Sequence, residues 1–254
     1  MPNLQNQICI CTGEKESSNE LISLLKNVGA TAFSLPMIEI HFRDLSQEFI
    51  TAINEIENYN WLLFTSKNGV NSFFKLLKDL SGNTNLPSSL KIASIGKKTS
   101  TVIESYNKKV DFTCSKNNAE DFVKEFTYFL PKKPTKVLFA TGNLTQDSIS
   151  KACPNYISIN KIVTYNTELP KQFDEKITET IKQKTYNHII FMSPSGVRNF
   201  VNLFGNKINP NDLQAVSIGP STTRQLQELG IEPKIIAKQH NNEGIVNALL
   251  EHYS

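Results

Sequence analysis

Five short stretches of this 254-residue chain set hydroxyls, amides and glycines where an apolar run gives way to a helical pattern. They are Ser66-Lys67-Asn68-Gly69, Gly96-Lys97-Lys98-Thr99, Gly142-Asn143, Ser193-Pro194-Ser195-Gly196 and Gly219-Pro220-Ser221-Thr222. A helix start directs unpaired N–H groups and a partial positive charge at one spot, so carboxylates or phosphates are held there. Glycine opens backbone angles closed to other residues, and proline fits the first helical turn, where its missing N–H is not needed. Plain helix capping explains each stretch equally well when it is taken singly.

Other chemistries lack their residues. Gly96-Lys97 resembles the end of a phosphate-binding loop, but Lys91 stands where its first glycine belongs and Lys98 where Ser or Thr should follow. No G-x-G-x-x-G follows a strand pattern. His41, His188, His240 and His252 have no ligand spacing, and His188 simply begins an apolar run. Ser193-Pro194-Ser195-Gly196 lacks the glycine-flanked nucleophile elbow. Cys9, Cys11, Cys114 and Cys153 form no C-x-x-C pair and read as buried thiols in a reducing compartment. Neither a metal nor a cofactor is expected.

Hydrophobic residues make up 39% and charged residues 20%, the balance of a water-soluble globular protein with a proper core. A net charge of +3 is too small to imply nucleic acid, yet permits local attraction of an acidic small molecule. Met1–Gln7 carries neither a basic stretch nor a long apolar run, and no apolar segment reaches membrane-spanning length. The expectation is a cytoplasmic monomer with no membrane partner.

The elements that must position these turns follow from periodicity. Gln7–Cys11, Thr31–Leu35, Trp61–Thr65, Lys91–Ile95 and Val110–Thr113 read as strands, as do Lys136–Thr141, Tyr156–Ile159, His188–Met192, Ala215–Ile218 and Lys234–Ala237. Helical spacing links Leu21, Leu24, Leu25 and Val28; Leu45, Phe49, Ile53 and Ile56; and Val70, Phe73, Phe74 and Leu77. Similar patterns run over Ser100–Tyr106, from Asn118 to Phe129, over Leu144–Lys151, from Val197 to Phe204, after Gly219 and after Asn241. Pro36–His41 and Lys161–Thr167 alternate in extended fashion and suit an edge ribbon or linker.

The pattern occurs twice. Phe64-Thr65-Ser66 matches Phe191-Met192-Ser193 at 191 − 64 = 127, and Ser94-Ile95-Gly96 matches Ser217-Ile218-Gly219 at 217 − 94 = 123. Asn118, Glu120 and Val123 match Asn241, Glu243 and Val246 at 123, and Thr12-Gly13 matches Thr141-Gly142 at 129. Alternating strands and helices imply parallel, doubly wound sheets, whose ligands bind beyond the carboxyl ends of the strands. Two copies predict two sets of turns and a polar, weakly basic cleft between them.

Together, Phe64-Thr65-Ser66 with Val70, Ile95-Gly96-x-x-Thr99, Gly142-Asn143, Val163-x-Tyr165-x-Thr167, Ser193-Pro194-Ser195-Gly196-Val197 and Ile218-Gly219-Pro220-Ser221-Thr222 make a more specific signature. In order and spacing the chain resembles the uroporphyrinogen-III synthase family over nearly its whole length. The resemblance implies two flavodoxin-like α/β domains, residues 1–35 plus 168–254 and residues 42–161. They would be joined by a two-stranded antiparallel ladder of residues 36–41 against 162–167. It also implies closure of linear hydroxymethylbilane to the cyclic tetrapyrrole of haem biosynthesis. Water is lost, the last pyrrole ring is inverted through a spiro intermediate, and no cofactor is used.

Carried onto this sequence, the resemblance makes Tyr165 the candidate to assist loss of the hydroxyl. Ser66, Thr99, Gly142, Asn143, Ser193, Ser195, Gly219, Ser221 and Thr222 become candidate substrate contacts. Ladder packing for Tyr165 and capping for the Ser and Thr residues are the plainer roles. The chain departs from the family where an arginine often follows Gly-Asn: Gln146 and Asp147 stand there. That departure keeps a second expectation in view, a non-catalytic binder of tetrapyrroles or small polyanions.

Overall fold

The apolar runs at Trp61–Phe64 and His188–Phe191 become strands with every residue buried, each near the middle of its sheet. Their neighbours on either side are parallel strands, whose faces must both be covered by helices. The computed structural model describes residues 3–116, 118–205 and 209–254; Met1 and Pro2 of the N-terminal stretch lie outside them. The chain divides into two units, Ile40–Thr167, and Met1–Glu39 with Glu168–Ser254.

The unit Ile40–Thr167 contains β4 (Trp61–Phe64), β5 (Lys91–Ile95), β6 (Phe112–Cys114), β7 (Thr135–Gly142) and β8 (Ile157–Glu168). With β3 (Glu39–Phe42), which begins at its boundary, the sheet order is β3-β8-β7-β4-β5-β6. Helices α2 (Gln47–Asn54), α3 (Lys67–Ser81), α4 (Lys97–Ser105), α5 (Ala119–Phe129) and α6 (Ser148–Ala152) complete it. Strand alternation sorts the core: Leu62 and Phe64 pack with Phe49, Phe73 and Phe74 on one face, and Trp61 and Leu63 with Phe122 and Phe126 on the other. Edge-on ring pairs such as Phe64–Phe73, 5.5 Å apart, add about 0.5–1.5 kcal/mol each beyond their burial.

In the other unit, β1 (Ile8–Cys11), β2 (Thr31–Ser34), β9 (His188–Phe191), β10 (Ala215–Ser217) and β11 (Ile235–Ile236) form a parallel sheet ordered β11-β10-β9-β1-β2. It carries α1 (Lys15–Asn27), α7 (Glu175–Lys182), α8 (Pro194–Phe204), α9 (Pro220–Glu228) and α10 (Asn242–His252). Cys9, Cys11 and Ile190 face one cluster, Ile10, Ile189 and Phe191 the other. The three cysteines of the strands, Cys9, Cys11 and Cys114, are buried free thiols and Cys153 is half-buried; burial lifts Cys9 to about 12 and Cys11 further.

The repeat is reproduced strand for strand. Phe64 lies beside Ser94 in β4–β5, and Phe191 beside Ser217 in β9–β10, the same register at both sequence matches. The strands β7 and β1 fit at one residue less than their Thr-Gly motifs do. Leu63 pairs with Phe139 and its counterpart Ile190 with Cys11, an offset of 139 − 11 = 128. The bulge between β7 and β8 lies on β8, where Thr164 is the extra residue between Val163 and Tyr165, the partners of Thr141 and Gly142.

Several boundaries differ from the sequence expectation: β6 lies at Phe112–Cys114 rather than Val110–Thr113, and α6 covers Ser148–Ala152 rather than Leu144–Lys151, because Thr145 is held in the preceding turn by Thr141 and Lys161. Tyr156–Ile159 and Lys161–Thr167 are not separate: β8 runs through Asn160-Lys161, which contains no breaker. The strand expected over Pro36–His41 occupies Glu39–Phe42 beside β8, because Met37 is tied to the other unit, its N–H on Thr12 O and its side chain in that core. Helix α7 had no counterpart in the reading; Asp174 caps it by accepting from the N–H groups of Lys176 and Ile177.

Candidate active site

Tyr165 stands on β8 beside Gly142, the last residue of β7. Its hydroxyl is hydrogen bonded to Ser66 Oγ at 3.1 Å, and that same oxygen accepts the Gly69 N–H at 3.1 Å as the N-cap of α3. Burial pushes the phenol pKa above its ordinary value, against a smaller opposing effect of the Ser66 bond. Next to it, buried Thr164 reaches Ser72 of α3 at 2.7 Å, which fixes this end of β8. Asn143 contributes from outside: its Oδ1 accepts the Thr167 N–H at 2.8 Å and its own N–H donates to Tyr165 O at 3.1 Å. The side chain predicted to contact substrate is thus engaged with the β8 backbone. Tyr165, Ser66, Gly142 and Asn143 are brought together.

The equivalent turn of the other unit is built alike. Ser193 Oγ accepts the Gly196 N–H at 3.0 Å, capping α8, and lies 3.2 Å from Ser195 Oγ. Ser66 and Ser193 are therefore both true caps, at matching places in the repeat.

The glycine turns behave differently. Gly96 and Gly219 stand at the N-caps of α4 and α9, and neither helix has a side-chain cap. Their strands are tied to the second turn instead. Ser94 Oγ is 2.7 Å from Ser100 Oγ, and Thr223 donates to Ser217 Oγ at 2.9 Å, the same pair 123 residues later. Thr99 and Thr222 are buried one turn in, whereas Ser221 is exposed. The N–H groups of these first turns lack a capping side chain, the condition for accepting an anion.

These two permuted copies of one sheet also match known proteins. The family model described as uroporphyrinogen-III synthase HemD matches residues 19–247. The chain belongs to the uroporphyrinogen-III synthase family. It is 25% identical over 243 residues to the porphyrin biosynthesis protein HemD of Ruminiclostridium josui, covering 95% of this chain and 48% of that protein. The chain thus spans about half the length of that relative. It is 25% identical over 242 residues to the uroporphyrinogen-III synthase of Synechococcus elongatus, with 91% of this chain and 90% of that one covered. A crystal structure of a mutant uroporphyrinogen III synthase from the extreme thermophile Thermus thermophilus has the same fold, with a TM-score of 0.69 at 12% identity over 96% of this chain and 98% of that one.

In this member of the uroporphyrinogen-III synthase family, Asp147 is paired with Lys161 at 2.5 Å, and Lys161 also donates to Thr145 O at 3.0 Å. Lys161 of β8 thus lies beside the Gly142-Asn143 turn with its charge paired to Asp147. Two features of this synthase-family chain escaped the sequence reading. His240 lies against Gly219, so that a Cβ there would stand 2.7 Å from its Cδ2. Thr65, opposite Met192 in the repeat, lines a crevice with Ile95, Phe139 and Ile149. Both depend on contacts between distant segments, and only the Thr65/Met192 mismatch within an otherwise matching motif signals one of them. No helix among the described residues is long and apolar enough to cross a membrane.

Proposed function

We propose that this chain is a cofactor-independent hydro-lyase that closes hydroxymethylbilane to uroporphyrinogen III. The terminal C–O bond breaks with a proton delivered to the departing hydroxyl, so that water leaves and an azafulvene cation remains. The substituted carbon of the last ring attacks, a spiro intermediate forms and rearranges, and ring closure releases a proton. Without a strong nucleophile, rate comes from holding the chain in the reactive fold and from stabilising the cation.

Tyr165 is the donor in this reading. The observation that carries it is the hydrogen bond of its hydroxyl to Ser66, in a chain whose residues 19–247 match the family model. A phenol whose pKa is raised keeps its proton at neutral pH, as a hydrogen-bond donor to a leaving hydroxyl must. Ser195, Ser221, Thr99 and Thr222, with N–H groups of the turns that follow Gly96 and Gly219, take the carboxylate arms. Ser66, Ser193, Gly142 and Asn143 position the turns. The chain works as a cytoplasmic monomer, with thiols that stay reduced. Incubation of purified protein with enzymatically generated hydroxymethylbilane tests the assignment: the type III isomer is expected, and the type I isomer alone at the spontaneous rate refutes it.

A further inference from the structure

At the carboxyl ends of β4, β5 and β7 the unit Ile40–Thr167 has an open crevice of about 170 Å³. It lies where the sheet order turns back on itself, β4 having β5 on one side and β7 on the other, the position at which doubly wound sheets bind ligands. The floor is apolar, made of Ile95, Phe139 and Ile149; the rim includes Thr65, Thr145 and Gln146. Thr145 is held in place, accepting a hydrogen bond from Thr141 at its hydroxyl and one from Lys161 at its carbonyl.

The repeat shows what keeps the crevice open. Met192 occupies the place of Thr65 in the other copy, between Phe191 and Ser193. Its Sδ accepts from Ser18 Oγ at 4.0 Å and would stand 2.5 Å from a Cβ on Gly13, and the side chain packs against the core that includes Cys11 and Ile190. A thioether fills that end of one sheet. A threonine, two heavy atoms shorter along its chain, leaves the other end hollow.

We propose that this crevice seats one pyrrole ring of the substrate and that Thr65 is the residue that admits it. The inference rests on the synthase reading above. The size fits: a cavity of about 150 Å³ holds benzene, and a pyrrole ring is smaller. Among the described residues, no charged side chain lines the crevice. An ionised carboxylate against Phe139 and Ile149 would lose its hydration without a partner, so the neutral ring goes in and the carboxylate arms stay at the rim. There hydroxyls and amides donate to the arms and accept from the pyrrole N–H. Thr65 immediately precedes Ser66, so a seated ring lies one residue along the chain from the hydrogen-bond partner of the proposed donor Tyr165.

Thr65→Met copies the filled repeat and Thr65→Ser keeps the hollow. For a seat used equally by substrate and transition state, Thr65→Met raises KM about tenfold or more with kcat within about twofold, while Thr65→Ser stays near wild type. Titration of 15N-labelled wild type with porphobilinogen, a monopyrrole with one acetate and one propionate arm, should shift the amides of Thr65, Thr145 and Gln146. Those shifts should vanish in Thr65→Met. If wild type forms the type III isomer but Thr65→Met keeps its KM, or the amides do not respond, the ring seat is overturned and the activity stands. A wild type yielding only the type I isomer overturns the activity instead, and the titration then decides whether the crevice takes a pyrrole at all. A Thr65→Met chain that does not fold leaves the decision to the wild-type titration.

Discussion

The ring of Tyr165 lies so close to Gly142 that a Cβ on that glycine would stand 2.6 Å from Cε2 and Cζ and 2.9 Å from the hydroxyl. Glycine is needed there for space. Gly142→Ala must push the far end of the Tyr165 side chain away, which breaks its 3.1 Å bond to Ser66. The fold can yield at that flexible point, so stability should fall by only about 1 kcal/mol, the low end of overpacking costs. Turnover should fall much further, towards that of a Tyr165 variant. Thermal unfolding and product assays on one preparation separate the two effects.

How far the sequence spoke depended on whether a feature was local or repeated. Both sheets were legible from the offsets 127 and 123, because a duplicated strand–turn–helix must bury its apolar face in the same way each time. The capping offered for Ser66 and Ser193 is present, and Asn118 and Asn241, where helical patterns open, cap their helices too. Helix α7 was missed because Ile177 and Ile181 give only one apolar pair, and a single pair falls below a helical pattern. The bulge at Thr164, the Asp147–Lys161 pair and the His240–Gly219 contact join segments that the sequence does not place side by side.

Tyr165→Phe removes a hydroxyl and little else. The loss of an assisting donor should lower kcat by roughly one to two orders of magnitude, at the modest end of what proton donors supply. Wild-type turnover in this variant, measured as type III isomer formed, would take Tyr165 out of the mechanism.

Ser66 and Ser193 make the same cap, but only Ser66 also meets Tyr165. Replacing either by alanine should cost about 1 kcal/mol through the lost bond to the third N–H of the helix. Only Ser66→Ala should also lower turnover, because it frees the Tyr165 hydroxyl. Equal kinetic effects in the two variants would show that capping is all that Ser66 does.

His188 begins β9 with Nε2 on the Tyr253 hydroxyl at 2.7 Å and Nδ1 buried without a partner among the described residues. Burial, and to a lesser degree the neighbouring His252, lower its pKa to about 4. An unfolded histidine takes up its proton near pH 6.5. Between those values the unfolded chain binds more protons than the folded one, so this group's contribution is complete above pH 6.5 and lost as pH falls towards 4. The loss is on the order of 3 kcal/mol. Urea unfolding at pH 7 and pH 4.5 should show it in the wild type and less of it in His188→Gln. An identical pH slope in both would assign the acid sensitivity to other groups.

Thr222 is where anion binding and plain packing separate. It is buried in the first turn of α9, a helix whose N-cap is Gly219 and which has no side-chain cap. Its counterpart Thr99 is buried in the first turn of Gly-capped α4, so one arrangement serves both units. Were these threonines needed only as caps, the hydroxyl would be expected at the N-cap itself, as in the serine turns; instead it sits three residues on, among the uncapped N–H groups. Thr222→Ala should therefore raise KM roughly tenfold, in line with one lost hydrogen bond to a charged group, with a change in Tm of only a few degrees. Unchanged KM and kcat beside a clearly lower Tm would make Thr222 a packing residue and leave carboxylate binding to the backbone N–H groups alone.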